Sequence, residues 1–175
     1  DNNYSFSYVD GLYTILPRPI EITAASLSKT YGYTDPLLTY NVTTGNVVNG
    51  DQGTGLLSRD PGENIGQYAI TQGTFTLGAN YSITFIGANF TIDPRIITVT
   101  ALAGQSKIFG TSDPVNFAYN VTGELAFADV IDGILDRAPG ESTGNYQIGL
   151  GSLTIIDGNT LQNVVNNYLI NFVPS

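Results

Sequence analysis

Apolar and small polar residues alternate with a period of two in several short segments of the chain. The clearest of these segments are residues 20–24, 68–71, 75–77, 81–85 and 90–92. They are rich in β-branched and aromatic residues, which together with the alternation is typical of half-buried strands. Turn motifs such as Asn49-Gly50-Asp51, Pro61-Gly62, Asp113-Pro114 and Gly158-Asn159 separate them. The pattern predicts an all-β fold, with a single helical turn at residues 161–165.

The same segments recur because the sequence repeats itself. The motif at residues 29–36, Lys-Thr-Tyr-Gly-Tyr-Thr-Asp-Pro, returns 78 residues later at residues 107–114 as Lys-Ile-Phe-Gly-Thr-Ser-Asp-Pro. Residues 55–76 align with residues 133–154, with 11 of 22 positions identical. Internal repetition of this kind indicates tandem copies of one structural unit. We therefore predict two units, repeat 1 (residues 16–93) and repeat 2 (residues 94–175), joined in an extended arrangement by short proline linkers at Pro17, Pro19 and Pro94.

The two ends of the chain follow the same alignment. Residues 3–15 match residues 80–92, so residues 1–15 are expected to be the last strands of a preceding repeat. Residues 167–172 match residues 80–85, but Phe90-Thr91-Ile92 has no counterpart after Ser175. Repeat 2 is therefore expected to lack its last strand. It also has an insertion at residues 156–166, where repeat 1 has only a short turn.

Composition excludes several classes of function. The chain has 175 residues and a net charge of −9, with no His and no Cys. It therefore has no Ser-His-Asp triad, cysteine nucleophile, disulfide or zinc finger. The acidic balance argues against nucleic acid and against an anionic membrane surface, because both require a basic face. No apolar run is long enough for a transmembrane helix.

Four motifs occur in order in both repeats, and together they resemble a known family. They are Lys-x-Tyr/Phe-Gly-x-x-Asp-Pro, Tyr-Asn-Val-Thr, Gly-x-Leu-x-Arg-x-Pro-Gly-Glu-x-x-Gly-x-Tyr-x-Ile and Asn-Tyr-x-Ile-x-Phe. This order resembles the MBG ("mostly beta grasp") repeat of the Tyr-Gly-x type, with Phe109 replacing the usual Tyr in repeat 2. The resemblance implies tandem β-grasp-like domains of a bacterial cell-surface or secreted protein, a role in a stalk or in adhesion, and no catalytic residues.

The repeated charged residues favour structural roles. Glycosidase chemistry needs two carboxyl groups that face each other across a bond, so Glu63 and Glu141 are predicted to pair with Arg59 and Arg137 instead. Lys29 and Lys107, the only lysines, are expected to be solvated near strand ends, where lysine discourages edge pairing. The alternative for each lysine is an internal amide bond to an Asn.

No cofactor is predicted, although calcium remains an alternative. Its weak candidate ligands are aspartates in loops that contain Gly or Asn, because calcium prefers carboxylate oxygens. These candidates are Asp51, Asp129, Asp132 and Asp157. Four aromatic residues near the Tyr-Gly motif could stack on a sugar, but their recurrence in both repeats favours core packing. These are Tyr31, Tyr33, Tyr40 and Phe109.

The leading hypothesis is a non-enzymatic spacer module of a bacterial cell-surface adhesin, with neighbouring repeats as its partners. The alternative is an adhesive module that binds a glycan or a host surface protein, in a calcium-dependent or calcium-independent way, through the insertion. The candidate contact residues of that loop are Asp157, Asn159, Gln162, Asn163 and Asn166. Because an open sheet edge invites strand addition, Tyr13-Thr14-Ile15 of one molecule is also predicted to dock on repeat 2 of another, in head-to-tail self-association.

Overall fold

The computed structural model describes residues 3–175, which form strands, turns and one short 3₁₀ segment at Val165–Asn167. The strands of repeat 1 are β1 (Arg18–Ala24), β2 (Leu27–Thr30), β3 (Tyr40–Thr44), β4 (Ser58–Arg59), β5 (Gly66–Thr71), β6 (Tyr81–Ile86) and β7 (Ala88–Asp93). The strands of repeat 2 are β8 (Arg95–Ala101), β9 (Tyr119–Thr122), β10 (Asp129–Asp132), β11 (Asp136–Arg137), β12 (Ile148–Gly149), β13 (Thr154–Asp157) and β14 (Tyr168–Val173). The predicted all-β class and the two tandem units are confirmed.

Repeat 1 consists of two sheets. The first has the strand order β3-β1-β6, and β1 runs parallel to β6 with Ile20 opposite Ile83. The second has the order β2-β7-β5-β4, so that β7 lies between a parallel neighbour, β2, and an antiparallel neighbour, β5. The alternation of apolar and polar residues places Phe90 and Ile92 of β7 on the inner face, where both are buried.

Repeat 2 preserves the first sheet and reduces the second. Strands β14, β8 and β9 reproduce the three-stranded sheet in the same order and directions. Of the second sheet only the pair β11-β12 remains, since no strand of residues 3–175 occupies the position of β7. Repeat 2 also has an antiparallel ribbon of β10 and β13, in which Asp129 lies opposite Asp157, where repeat 1 has only the bridge between Thr54 and Thr76.

Equivalent apolar residues build the core of both repeats. Ile20, Ile22, Ala24, Leu57 and Ile70 in repeat 1 correspond to Ile97, Val99, Ala101, Leu135 and Ile148 in repeat 2, and all ten are buried. They belong to one buried cluster that continues from one repeat into the next through Tyr31 and Ala126. Burial of these side chains supplies the main stabilising term of both repeats.

Two local predictions are wrong, and a third is not tested. Residues 75–77 form no strand but a single bridge between Thr54 and Thr76. The helical turn expected at residues 161–165 is a 3₁₀ turn at Val165–Asn167. Residues 3–17 form no strand within the described chain, and residues 1–2 lie outside the described residues. The assignment of residues 1–15 to the last strands of a preceding repeat therefore stays a prediction.

Candidate functional site

The two repeats meet at Tyr31, which belongs to repeat 1 and is buried against repeat 2. Its ring lies edge-on to the rings of Phe127 and Tyr168, with centroids 5.4 Å away in each case. Its hydroxyl donates a hydrogen bond to Asp129, with an O–O distance of 3.1 Å. Buried edge-on aromatic contacts add stabilisation beyond the apolar area that they remove from water.

Asp129 is a buried carboxylate that accepts hydrogen bonds from two tyrosines. Tyr168 donates to it at 2.6 Å, and the hydroxyl of Tyr168 in turn accepts the backbone N–H of Ala126. Burial, together with the adjacent carboxylate, raises the pKa of Tyr31 to about 12 and also raises the pKa of Tyr168. Both hydroxyls are therefore firm hydrogen-bond donors over the physiological pH range.

The same tyrosine–aspartate pair occurs in repeat 1. Tyr81 donates to Asp51 at 2.8 Å and accepts the backbone N–H of Val48 at 3.0 Å. The tyrosine–aspartate pair is therefore a structural feature of each repeat. In repeat 2 its aspartate, Asp129, also accepts the hydrogen bond from Tyr31 of repeat 1.

Gly32 and Arg95 close the junction around Tyr31. Gly32 has a φ of +83°, and a Cβ atom there would stand 2.3 Å from the Cβ of Ala126. The position requires glycine on both grounds. Arg95 donates to the backbone oxygen of Tyr31 at 3.2 Å and lies 4.9 Å from the ring centroid of Tyr33.

Asn167 fixes the other side of the junction, although the sequence did not single it out. Its side chain is buried, accepts the backbone N–H of Ile65 at 3.0 Å and donates to Asn64 at 2.9 Å. The counterpart in repeat 1, Asn80, is exposed. Asn80 and Asn167 are identical in sequence and differ only because Asn167 contacts the other repeat. Aligning the two repeats therefore could not have identified Asn167.

Comparison with protein families agrees with the repeated architecture. A family model described as MBG domain (YGX type) matches residues 20–91 and again residues 97–175. The chain belongs to the MBG domain family of the YGX type. The comparisons with curated proteins and with solved structures each gave no match. In the part of the chain that the structure describes, no helix is long and apolar enough to cross a bilayer.

Each MBG repeat also contains a cluster of four charged side chains. In repeat 1, Lys29 contacts Asp35 at 2.6 Å and Glu63 at 2.5 Å, while Arg59 contacts the same two carboxylates at 2.6 and 2.7 Å. The predicted pairing of Glu63 with Arg59 is confirmed. The prediction of a solvated lysine is wrong, because only 4% of the Lys29 side chain is exposed. The lysine is buried because two carboxylates compensate its charge.

The charges of this cluster hold each other in the ionised state. The hydrogen bond from Arg59 holds the pKa of Asp35 below its ordinary value, and the bond from Lys29 does the same for the pKa of Glu63. Burial lowers the pKa of Lys29, but the two carboxylates outweigh it and leave that pKa raised. A carboxyl group that acts as a general acid needs a raised pKa, and a lysine that forms an amide must be uncharged. The shifts in this cluster favour the charged forms instead, which suits ion pairs that hold loops together.

Repeat 2 reproduces the cluster in a more open form. Lys107 contacts Asp113 at 2.9 Å and Glu141 at 2.6 Å, and Arg137 contacts both carboxylates. The predicted pairing of Glu141 with Arg137 is therefore confirmed as well. The Lys107 side chain is 20% exposed. In repeat 1, β2 carries Lys29 and pairs with β7, whereas repeat 2 has no such strand beside Lys107.

The four candidate calcium ligands do not form one site. Asp51 and Asp129 accept bonds from tyrosines, and Asp157 accepts the backbone N–H groups of Asn159 and Thr160. Those hydrogen bonds, from Thr160 and then Asn159, hold the pKa of Asp157 below its ordinary value. Asp132 lies at the far end of the ribbon, opposite Thr154. Residues 3–175 contain no group of three or more carboxylates placed to hold a metal ion.

The insertion forms a closed loop with an ordered backbone. The N–H of Leu161 bonds to the oxygen of Asp157 at 2.8 Å, and the N–H of Asp157 bonds to the oxygen of Gln162 at 2.9 Å. Asn163 is exposed, but its side chain is held by hydrogen bonds within the loop, donating to Thr154 and accepting from the N–H of Val165. The side chains of Asn159, Gln162 and Asn166 are exposed. Of the five predicted contact residues, four are thus exposed and Asp157 is partly buried.

The four aromatic residues near the Tyr-Gly motif form no common platform. Core packing is confirmed for Tyr31, which is buried, whereas Tyr40 is partly exposed and lies against Phe75 with centroids 4.5 Å apart. The prediction is wrong for Tyr33 and for Phe109, which is 71% exposed. Phe109 is the counterpart of Tyr31, and no described residue of the chain covers it as repeat 2 covers Tyr31.

Proposed function

We propose that the two MBG domains are a non-enzymatic spacer of a bacterial cell-surface adhesin. The observation that carries the proposal is the junction, where Tyr31, Gly32, Arg95 and Asn167 join consecutive repeats by buried contacts. A junction of this kind transmits a fixed orientation from one repeat to the next, which a stalk requires and a flexible linker would not provide.

The charged residues favour the same function. The carboxylates that a hydrolase would need, Asp35 and Glu63 with their counterparts in repeat 2, are held in ion pairs with lysine and arginine. Each cluster fastens the loop that follows the Tyr-Gly motif to the Pro-Gly-Glu turn. Its occurrence in both repeats is consistent with a structural role that every unit needs.

Residual dipolar couplings test the spacer function. In the native chain, backbone couplings of repeats 1 and 2 should fit one alignment tensor, because the junction fixes their relative orientation. In a Tyr31→Ala/Arg95→Ala variant the two repeats should need separate tensors, while each repeat keeps its fold. Separate tensors in the native chain would overturn the proposal.

A second candidate function is recognition of a glycan or a host surface protein by the insertion. It is favoured by the closed backbone of the loop, which presents Asn159 and Gln162 to solvent in a fixed arrangement. Such preorganisation reduces the entropic cost of binding. The test compares the native chain with one in which residues 156–166 are replaced by Gly-Ala, the turn of repeat 1.

Both chains would be applied to an array of glycans and matrix proteins, with and without calcium. Binding by the native chain that disappears on replacement supports recognition by the loop. Equal binding by both chains, or binding by neither, contradicts it. Asn167 stays in both chains so that the junction is unchanged.

A further inference from the structure

The hydroxyl of Tyr81 holds both ends of a tight turn in repeat 1. It accepts the backbone N–H of Val48 at 3.0 Å, donates to Asp51 at 2.8 Å and lies 3.3 Å from the backbone oxygen of Val48. The N–H of Asp51 also bonds to that oxygen at 3.0 Å, which closes a four-residue turn. Val48 and Asp51 are thus fixed to each other and to strand β6, whereas the two residues between them, Asn49 and Gly50, are exposed.

Asn49 and Gly50 adopt the left-handed backbone conformation that this kind of turn requires. Their φ angles are +57° and +74°. Asn and Gly reach this conformation at the lowest steric cost, so the geometry of the turn accounts for the pair. The same pair has a chemical consequence, because a glycine that follows an asparagine leaves the backbone nitrogen between them without steric protection.

The side-chain amide of Asn49 and the backbone nitrogen of Gly50 are open to reaction. Within residues 3–175 neither group makes a hydrogen bond, and a Cβ atom at Gly50 would have no neighbour within 4 Å. Asn49 is also the only asparagine of the chain that glycine follows. The nearest other asparagine, Asn46, is followed by the branched Val47, and its side chain accepts a hydrogen bond from Arg18 at 2.6 Å.

We propose that Asn49 is a site of spontaneous deamidation. The backbone nitrogen of Gly50 gives up its proton and attacks Cγ of Asn49, which forms a succinimide ring. The bond from Cγ to the side-chain nitrogen breaks, and this nitrogen leaves as ammonia with the proton from Gly50. Water then opens the ring at one of its two carbonyl carbons, so that the product is aspartate or isoaspartate. The reaction consumes only water, needs no enzyme and does not depend on the spacer function.

Isoaspartate changes the geometry of the turn. The main chain then passes through Cβ and Cγ of residue 49 and becomes one atom longer. The lengthened turn no longer matches the distance between Val48 and Asp51, which one hydroxyl holds together. Tyr81 is only 8% exposed, and a buried hydroxyl that loses its partners is costly. Repeat 1 with isoaspartate at residue 49 is therefore less stable than the native repeat.

Repeat 2 has the same turn without the reactive pair. Tyr168 accepts the N–H of Ala126 at 2.8 Å and donates to Asp129 at 2.6 Å, and the N–H of Asp129 bonds to the oxygen of Ala126 at 2.9 Å. Phe127 and Ala128 stand between them where repeat 1 has Asn and Gly. Deamidation at this turn is therefore restricted to repeat 1.

Contact with a neighbouring repeat leaves this position of the turn open. In repeat 2 the ring of Phe127 lies 5.4 Å from the ring of Tyr31, which belongs to repeat 1. Phe127 is nevertheless 67% exposed. The position equivalent to Asn49 thus stays accessible to water even where a junction forms beside it.

The native chain, incubated at physiological temperature and mildly alkaline pH, provides the first test. Trypsin releases residues 30–59 as one peptide, which contains Asn41, Asn46 and Asn49. Fragmentation in a mass spectrometer should place the mass gain of an amide-to-acid change at residue 49, while Asn41 and Asn46 stay intact. Enzymatic methylation of isoaspartate should rise in the same samples. An Asn49→Gly variant is the matched control, because glycine fits the φ of +57°, and it should give neither signal.

A second test asks whether the Tyr81 hydroxyl restrains the reaction. Closure of the succinimide ring requires rotation about the Cα–C bond of Asn49, which the hydrogen bonds at both ends of the turn oppose. Tyr81→Phe should therefore convert Asn49 faster than the native chain does. Tyr168→Phe, the equivalent change in repeat 2, should leave the rate at Asn49 unchanged.

Urea unfolding of separated products tests the structural consequence. The isoaspartate form should unfold at a lower urea concentration than the fresh native chain, and aged Asn49→Gly should unfold like fresh Asn49→Gly. An Asn49 that stays intact in the folded chain while a synthetic peptide of residues 46–53 loses ammonia would overturn the proposal, since the fold would then prevent the reaction. Conversion of Asn46 as fast as Asn49 would overturn it as well, and so would an isoaspartate form with an unchanged unfolding midpoint.

Discussion

In repeat 1, strand β7 fills the space between β2 and β5, whereas in repeat 2 no described residue fills the corresponding space. The local sequences are alike, since residues 27–30 read Leu-Ser-Lys-Thr and residues 105–108 read Gln-Ser-Lys-Ile. Nevertheless the first segment is a strand and the second is not. The comparison teaches that these short segments become strands only when a partner from a distant part of the sequence pairs with them.

The largest predicted effect is the loss of the β7 core. Phe90→Ala should destabilise repeat 1 by about 3–5 kcal/mol, because the substitution leaves a cavity where a fully buried ring stood. Urea-induced unfolding followed by circular dichroism measures the change. Tyr13→Ala, at the equivalent position of the exposed segment, is the matched control and should leave the free energy of unfolding of the monomer unchanged. Equal losses of unfolding free energy in the two variants would contradict the prediction, because burial of Phe90 in β7 would then add nothing to the stability of repeat 1.

The second prediction compares the two glycines of the Tyr-Gly and Phe-Gly motifs. Gly32→Ala and Gly110→Ala bear the same backbone strain, because the φ angles are +83° and +84°. Only at Gly32 does a new Cβ meet Ala126, at 2.3 Å. Gly32→Ala should therefore cost about 1–3 kcal/mol more than Gly110→Ala in urea unfolding at low protein concentration. Equal losses of unfolding free energy would mean that the contact between Gly32 and Ala126 is not tightly packed and does not fix the relative orientation of the repeats.

The third prediction concerns the charge clusters. Asp35→Asn should cost about 2 kcal/mol, because it removes a charged partner from the buried amine of Lys29. Asp113→Asn should cost less, because Lys107 is more exposed and better solvated. Thermal unfolding measures both losses, and equal losses would mean that burial of the lysine does not determine how much the cluster stabilises its repeat.

The acid dependence follows from the pKa shifts of the same clusters. The folded-state pKa values of Asp35 and Glu63 are lowered, so their contribution to stability is present above the unfolded values near pH 4. That contribution is lost as the pH falls through the folded pKa values. The Asp35→Asn variant should accordingly show a weaker loss of stability on acidification than the native chain.

Much of this fold could be predicted from the sequence, because the repeat supplies each pattern twice. The alternation found β1, β5, β6 and β7, and the alignment found the position where repeat 2 has no central strand. The environments of the aromatic and charged side chains were harder to predict from the sequence. The sequence predicts a solvated Lys29 because lysine is usually exposed. Its burial depends on Asp35 and Glu63, of which Glu63 is far away in sequence.

The junction could not be predicted, for a related reason. Tyr31 and Phe109 occupy equivalent positions, yet one is buried and the other exposed, because burial here depends on a neighbouring repeat. The sequence pattern within one unit contains no information about what lies against its surface. The candidate calcium ligands do not form one site because Asp51 and Asp129 each accept a hydrogen bond from a tyrosine of a strand. The sequence pattern does not show these contacts.

The smallest predicted effect separates the hydroxyl of Tyr31 from its ring. Tyr31→Phe gives repeat 1 the residue that repeat 2 has at Phe109, and it removes one hydrogen bond to Asp129 while Tyr168 still donates to that carboxylate. The loss should be about 1 kcal/mol at neutral pH. Tyr33→Phe, at an exposed neighbour, should leave the free energy of unfolding unchanged.

The change of this stability difference at alkaline pH is a sharper test of the Tyr31 hydrogen bond than its size at neutral pH. The pKa of Tyr31 is raised to about 12 in the folded state, above an unfolded value of about 10. The hydroxyl therefore contributes its full stability below about pH 10 and loses it as the pH rises through about 12. The stability difference between the native chain and Tyr31→Phe should shrink over that interval in urea unfolding curves recorded at successive pH values. A difference that stays constant would mean that the hydroxyl does not donate to Asp129, and that the ring alone distinguishes the covered junction of repeat 1 from the exposed Phe109 of repeat 2.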